Sequence, residues 1–209
     1  MIRGPRRWLA RGALAVATAL PLCGCSLFVP ALPASPRGML TALPSDLPRQ
    51  EGAAPASATL LVAAPHTQRA YDTTQMAYSL HEHEIAYYRD HEWAATPSDM
   101  LQPLLVSALE RTHRFAAVLG SPYVARSTYV LQVQVGELVQ DFTAPTAALR
   151  LSLHVQLTHN VTRHAVSEEI VVSEPMAQRS PEAGIAAANR AVAQALREVA
   201  RFVVDNAVD

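Results

Sequence analysis

Ala147-Ala148-Leu149-Arg150-Leu151-Ser152-Leu153-His154-Val155-Gln156-Leu157-Thr158 alternates apolar and polar side chains without a break. Successive side chains of a strand point to opposite sides, so Ala147, Leu149, Leu151, Leu153, Val155 and Leu157 share one face. Arg150, Ser152, His154 and Gln156 share the other. One face in a core and one in water is the pattern of an antiparallel strand.

Upstream, Tyr129, Leu131, Val133 and Val135 alternate with Val130, Gln132 and Gln134, and the phase then flips at Gly136 so that Leu138 and Phe142 continue the apolar face. A glycine at a phase flip predicts a bulge. Downstream, Ala165–Val172 follows a turn at His159–Thr162 and completes a three-stranded meander. Ser180-Pro181-Glu182 is a helix start, and Ile185, Ala188, Val192, Leu196, Val199 and Val203 form one helical stripe to the C-terminus. Arg190, Arg197 and Arg201 fall off that stripe.

In the first half, Ala58–Ala63 is a short apolar run ended by Pro65, and Gln75–Leu80 and Glu84–Tyr88 are two more short strands around a hairpin. Thr96-Pro97-Ser98-Asp99 opens a helix whose apolar face is Leu101, Leu104, Leu105, Ala108 and Leu109. Pro103 requires a later start or a kink, because an interior proline removes a backbone bond. The order β-β-β, helix, β-β-β-β, helix predicts an α+β domain, with two helices packed on one face of a mainly antiparallel sheet.

The chain has 209 residues, half of them apolar, enough for one good core. All 17 basic residues are arginine, and four of them precede residue 12. Met1–Arg11 is a positive segment, Gly12–Leu22 an apolar stretch too short to span a bilayer, and Leu22-Cys23-Gly24-Cys25 follows. The tetrapeptide resembles the bacterial lipobox, with Cys23 its one unusual member. The reading is a signal peptide over 1–24 and Cys25 as the acylated mature N-terminus, carrying two or three chains and hence a stable anchor. Ser26 is not aspartate, and aspartate after the acylated cysteine resembles the inner-membrane retention signal of Gram-negative lipoproteins. Outer-membrane location, facing the periplasm, is therefore expected.

Residues 25–57 contain six prolines and read as a tether, with the stretch around Met39 to Leu47 expected to pack on the domain at 58–209. Beyond residue 24, thirteen arginines face 18 acids, a net charge of −5 that argues against nucleic acid as a partner. There is no G-x-S-x-G and no glycine-rich phosphate or dinucleotide loop. Glu168 and Glu169 are neighbours on a strand, hence on opposite faces and no acid/base couple. The chain reads as a non-enzyme without cofactor. His81-Glu82-His83-Glu84, with His91 further on, is the densest metal-capable stretch, but it lacks a fixed ligand spacing and reads as a polar hairpin turn rather than a metal site. Tyr78, Tyr87, Tyr88 and Trp93 gather the aromatics. Their structural role is to wall the core, and their functional role would make Tyr87, Tyr88 and Trp93 a contact surface for a partner or a lipid.

Thr74-Gln75-Met76-Ala77-Tyr78, Ile85-Ala86-Tyr87-Tyr88 and Trp93-Ala94-Ala95-Thr96-Pro97, leading into Met100-Leu101, resemble the central signature of the ABC-type transport auxiliary lipoproteins. The strands at Val130–Phe142 and Ala147–Leu157, and an alanine-rich last helix ending near Phe202, are similar too. The resemblance implies a transport system in which an ABC permease and ATPase work with a periplasmic protein of the mammalian-cell-entry type. Such systems move phospholipids or other hydrophobic molecules between inner and outer membranes. The lipoprotein would act by docking, as a monomer or a homo-oligomer. An alternative of another class is an outer-membrane assembly lipoprotein, a plug or chaperone for a β-barrel.

Overall fold

The computed structural model describes residues 36–48, 57–122 and 126–207. In chain order these form β1 (Arg37–Gly38), β2 (Thr59–Val62), β3 (His66–Thr67), β4 (Gln75–Ser79), β5 (Ala86–Trp93), α1 (Pro97–Glu110), β6 (Ala117–Gly120), β7 (Tyr129–Asp141), β8 (Ala148–His159), β9 (Ala165–Pro175) and α2 (Pro181–Asn206). The signal peptide, Cys25 and the stretch 49–56 of the expected tether lie outside the described residues.

The long strand β7 is the spine. Along one edge it pairs antiparallel with β8 from Tyr129↔His159 to Asp141↔Ala148, and β8 in turn pairs antiparallel with β9. Its other edge is shared end to end by three short strands, all parallel to it: β2 at Leu60↔Tyr129, β3 at His66↔Gln134 and β4 at Ala77↔Val139. From there the sheet forks, β6 adding parallel to β2 and β5 antiparallel to β4, with β1 parallel to β5 outermost.

The sheet is thus mixed, not mainly antiparallel as the sequence suggested. The meander of β7, β8 and β9 is antiparallel because tight turns join it. The first-half strands lie parallel because α1 carries the chain over the sheet before β6 and β7 return beside β2, and parallel neighbours require such a crossover. Short apolar runs such as Thr59–Val62 do not announce their direction. The short strands β1, β3 and β6 are additions to the expected elements, and β5 runs on to Trp93 rather than ending at Tyr88.

Both helices cover one face. Leu149, Leu151, Leu153, Val155 and Leu157 are buried under α2, beside Leu131, Val133 and Val135 of β7 and Ile170 and Val172 of β9. Ala187, Ala188, Ala191 and Ala195 are buried on the sheet side of α2, their small side chains letting the helix come close. Val192, Leu196, Val199 and Val203 fill the remaining space, each contributing on the order of 1.5–3 kcal/mol by burial. Ser180 caps this helix by accepting from Ala183 N. Thr96 does the same for α1 through Asp99 N. Pro103 lies inside α1 on its exposed side, one turn after exposed Asp99, so the carbonyl it leaves without a donor is at the solvent surface. The predicted bulge is present: pairing shifts between Val135 and Glu137, and Gly136 sits where a Cβ would stand 2.5 Å from Ser152 Oγ.

Candidate functional site

The face of the sheet away from the helices is mainly polar, with Val171 of β9 also exposed on it. Gln132 and Gln134 of β7, His154 of β8 and Ser167 and Glu169 of β9 stand exposed on it. Its other half is set by the bulge, which turns Glu137, Val139 and Asp141 outward. Register then aligns Tyr87, Ala77, Val139, Arg150 and Ser173 in one row across five strands.

Over Val139 and Arg150 this row is walled into a trough of about 570 Å³, with Ala70 and Tyr71 among its lining residues and the β4–β5 hairpin contributing Glu82, His83 and Glu84. Arg150 reaches Glu137 Oε2 at 2.6 Å and Asp141 Oδ2 at 3.3 Å. Burial alone would raise the Asp141 carboxyl, but the hydrogen bonds from Thr143 and Arg150 outweigh it and hold the group below the usual aspartate range. Burial likewise works against the Arg150 cation, yet Glu137 and Asp141 raise its affinity for its proton. Burial and the nearby Glu137 charge push the Tyr71 hydroxyl up. With the single guanidinium of the floor taken up by two carboxylates and Glu82 and Glu84 at the rim, the trough has acidic character. It suits polar or cationic groups, not phosphates.

The three aromatics singled out from sequence do not form one surface. Tyr87 lies on the open face, where its hydroxyl donates to Ala70 O at 2.7 Å and braces the wall of the trough. Tyr88 points the other way, toward α2. It packs on Tyr78 with ring centroids 4.7 Å apart and donates to Gln140 Oε1 at 3.1 Å. Burial, with smaller contributions from Tyr78 and Glu182, pushes its hydroxyl up to about 12. Trp93 is 3 % exposed and packs with Gly38 and Ile185, which makes it a core residue.

His81, Glu82, His83 and Glu84 form an exposed turn in which Ser79 Oγ lies 2.8 Å from the carbonyl oxygens of His81 and Glu84, with one proton to donate between them. His91 is elsewhere, 3.3 Å from Glu182 at the start of α2. Among the described residues no group of three His, Cys, Asp or Glu side chains is placed to hold a metal ion. Glu168 faces Val155 and Glu169 faces His154, on opposite sides of β9. A second cavity, of about 420 Å³, opens at the far end of the core between Tyr129, Leu157, Val166 and Asn206.

Sequence reasoning missed the Arg150 cluster and Asn189. The cluster depends on the bulge phase, which was read, but the diagonal reach of Arg150 across it was not. Asn189 was legible only as an amide in an alanine-rich helix, and its partners lie in a segment some 150 residues away.

Two solved structures share the fold. The protein XCC0632 of Xanthomonas campestris, of a family designated DUF330, aligns with a TM-score of 0.71 at 24% identity over 81% of this chain and 95% of that one. An uncharacterized protein aligns with a TM-score of 0.63 at 13% identity, over 80% of this chain and 97% of its own. No curated protein matches the sequence. The family model described as "ABC-type transport auxiliary lipoprotein component" matches residues 42–200, a span that starts in the segment between β1 and β2 and ends within α2. The chain therefore belongs to the ABC-type transport auxiliary lipoprotein family.

Proposed function

We propose that this protein is a non-enzymatic docking component of an ABC system that includes a periplasmic protein of the mammalian-cell-entry type and moves phospholipids or other hydrophobic molecules between the two membranes. The family match over 42–200 carries the reading, and it favours transport over barrel assembly. Cys25 is acylated and holds the chain on the outer membrane, facing the periplasm. No described helix is long and apolar enough to cross a membrane, so in this reading attachment rests on the lipid.

The open sheet face meets the transport partner, with Tyr87 at its edge and Tyr88 bracing the strand from behind. Its glutamine, serine and histidine side chains, around the exposed Val171, offer mainly hydrogen bonds, as suits a contact that forms and parts. The test is affinity isolation of the detergent-solubilised lipoprotein and identification of permease, ATPase and mammalian-cell-entry protein in the eluate. His154→Glu and Gln134→Arg should lower recovery of the complex at unchanged melting temperature. If no complex is recovered, and deletion leaves membrane permeability and lipid composition as in wild type, the transport role is lost.

A further inference from the structure

Residues 36–47 lie on the domain as a strap. Gly38 pairs with Trp93 at the end of β5 and accepts from Ala94 N, and Leu40 and Leu47 are buried. Asp46 meets Arg197 at 3.3 Å, twelve residues along α2 from Ile185, which packs on Gly38. Between these points Asn189 locks the strap to the helix. Its Oδ1 accepts from Thr41 N at 2.8 Å and Ala42 N at 3.0 Å, while Nδ2 donates to Met39 O at 2.9 Å and to Ile185 O at 3.0 Å. Asparagine is a poor helix former, and here three of its side-chain bonds hold another segment's backbone.

The strap decides at which end the chain enters the domain. β1 and β5 lie at the Asp141 end of β7, through β4, and α2 begins at that end because β9 finishes opposite Ala148. Thr59, where β2 starts, lies at the opposite end, beside Tyr129. The exposed β8–β9 turn, with Val161 at its tip, is also at the Tyr129 end. The 13 residues of β7 separate the two ends by about 40 Å.

Resting on the reading that Cys25 is acylated, we propose that the strap sets the domain on the lipid surface by its β1 end, with Arg37 and Met39 outermost. From Cys25 to Pro36 the chain spans at most about 40 Å, so the Val161 end reaches lipid only if that lead is drawn out along the whole domain. With the strap off α2, the lead to Thr59 extends to about 120 Å and enters at the other end. Met39, 55% exposed, offers an apolar side chain to the interface. Arg37, 63% exposed and 3.7 Å from its partner Glu92, offers a cation to lipid phosphates.

The experiment uses full-length acylated protein in vesicles of phosphatidylethanolamine and phosphatidylglycerol. The thiol of Cys25 is consumed as a thioether, so Met39→Cys and Val161→Cys each give one labelling site for a fluorophore. Lipids carrying doxyl quenchers should remove most of the signal at position 39 and little at position 161. Asn189→Ala should erase the difference, and so should a twenty-residue Gly-Ser insertion between Ala34 and Ser35, which leaves the strap in place should Asn189→Ala fail to fold. Bound protein quenched equally at both sites, or more at 161, overturns the posture but leaves the anchor standing. Protein that does not float with the vesicles overturns the anchor and the posture together.

Discussion

Gly184 lies directly against the side chain of Gln140: a Cβ on the glycine would stand 2.2 Å from Gln140 Nε2 and Cδ. Gln140 is 2% exposed and its Oε1 accepts from the Tyr88 hydroxyl, so moving its amide away would break that bond. Alanine is worth about 1 kcal/mol more than glycine inside a helix, whereas overpacking a buried site costs roughly 1–3 kcal/mol. Gly184→Ala should therefore lower the melting temperature. Combining it with Gln140→Ala should recover part of the loss, and a double-mutant cycle that closes additively would mean the two side chains do not meet.

Leu196 is 1% exposed beneath α2, and Leu196→Ala should destabilise by roughly 2–5 kcal/mol, read as a shift in the denaturation midpoint. Its neighbour Arg197 makes an ion pair with Asp46 whose two side chains are 34% and 70% exposed. Arg197→Ala should cost about 1 kcal/mol or less. A Leu196→Ala variant that unfolds at the wild-type midpoint would remove α2 from the core.

The Leu196 prediction rests on a feature legible from period alone. The stripe from Ile185 to Val203, the proline-led caps at Ser180 and Thr96 and the alternation from Ala147 to Leu157 all declare themselves within a dozen residues. Strand direction does not, because Thr59–Val62 has the same side-chain pattern whether it lies parallel or antiparallel to Tyr129–Leu131. Contacts between distant segments are equally silent: nothing local to Asn189 points to Met39, and nothing local to Trp93 tells a core tryptophan from an exposed one. The trough falls in this second class, since its floor and walls come from the loop after β3, the β4–β5 hairpin, β7 and β8.

Tyr88 ties stability to alkaline pH. An unfolded tyrosine loses its proton near pH 10, whereas Tyr88 keeps it to about 12 because burial disfavours the phenolate. Over that window the folded state binds a proton that the unfolded state has released, so stability falls as pH rises. Tyr71, raised by burial and by Glu137, adds to the same slope. Thermal melts between pH 9 and 12 should show a shallower decline for Tyr88→Phe than for wild type; parallel curves would contradict the burial of this hydroxyl. Asp141 acts at the acid end with the opposite sign. Its depressed carboxyl stabilises the fold above the ordinary aspartate range, and that contribution is lost as pH falls through its folded value. Thr143→Ala should move the acid transition to higher pH.

Gly136 gives the sharpest test of how the open face is built. Before it, Tyr129, Leu131, Val133 and Val135 face the helices; after it, Leu138 and Gln140 do, and this change of phase exists only because one residue is left out of the ladder. Removing the bulge residue restores strict alternation. If both halves of β7 keep their partners on β8, Val135 and Leu138 still face α2 with Glu137 facing out between them, so Glu137, Val139 and Asp141 stay on the open face and only the local bend of the strand is lost. Deleting Gly136 should therefore leave unfolding cooperative and lower the melting temperature only modestly. Gly136→Ala is a different perturbation. It keeps the residue count and meets only the hydroxyl of Ser152, 2.5 Å from the new Cβ, so its cost should be modest and should be relieved by adding Ser152→Ala. The pair of variants separates register from packing: a deletion that abolishes cooperative unfolding, where Gly136→Ala relieved by Ser152→Ala does not, would show that the two halves of β7 do not keep their partners on β8 without the extra residue.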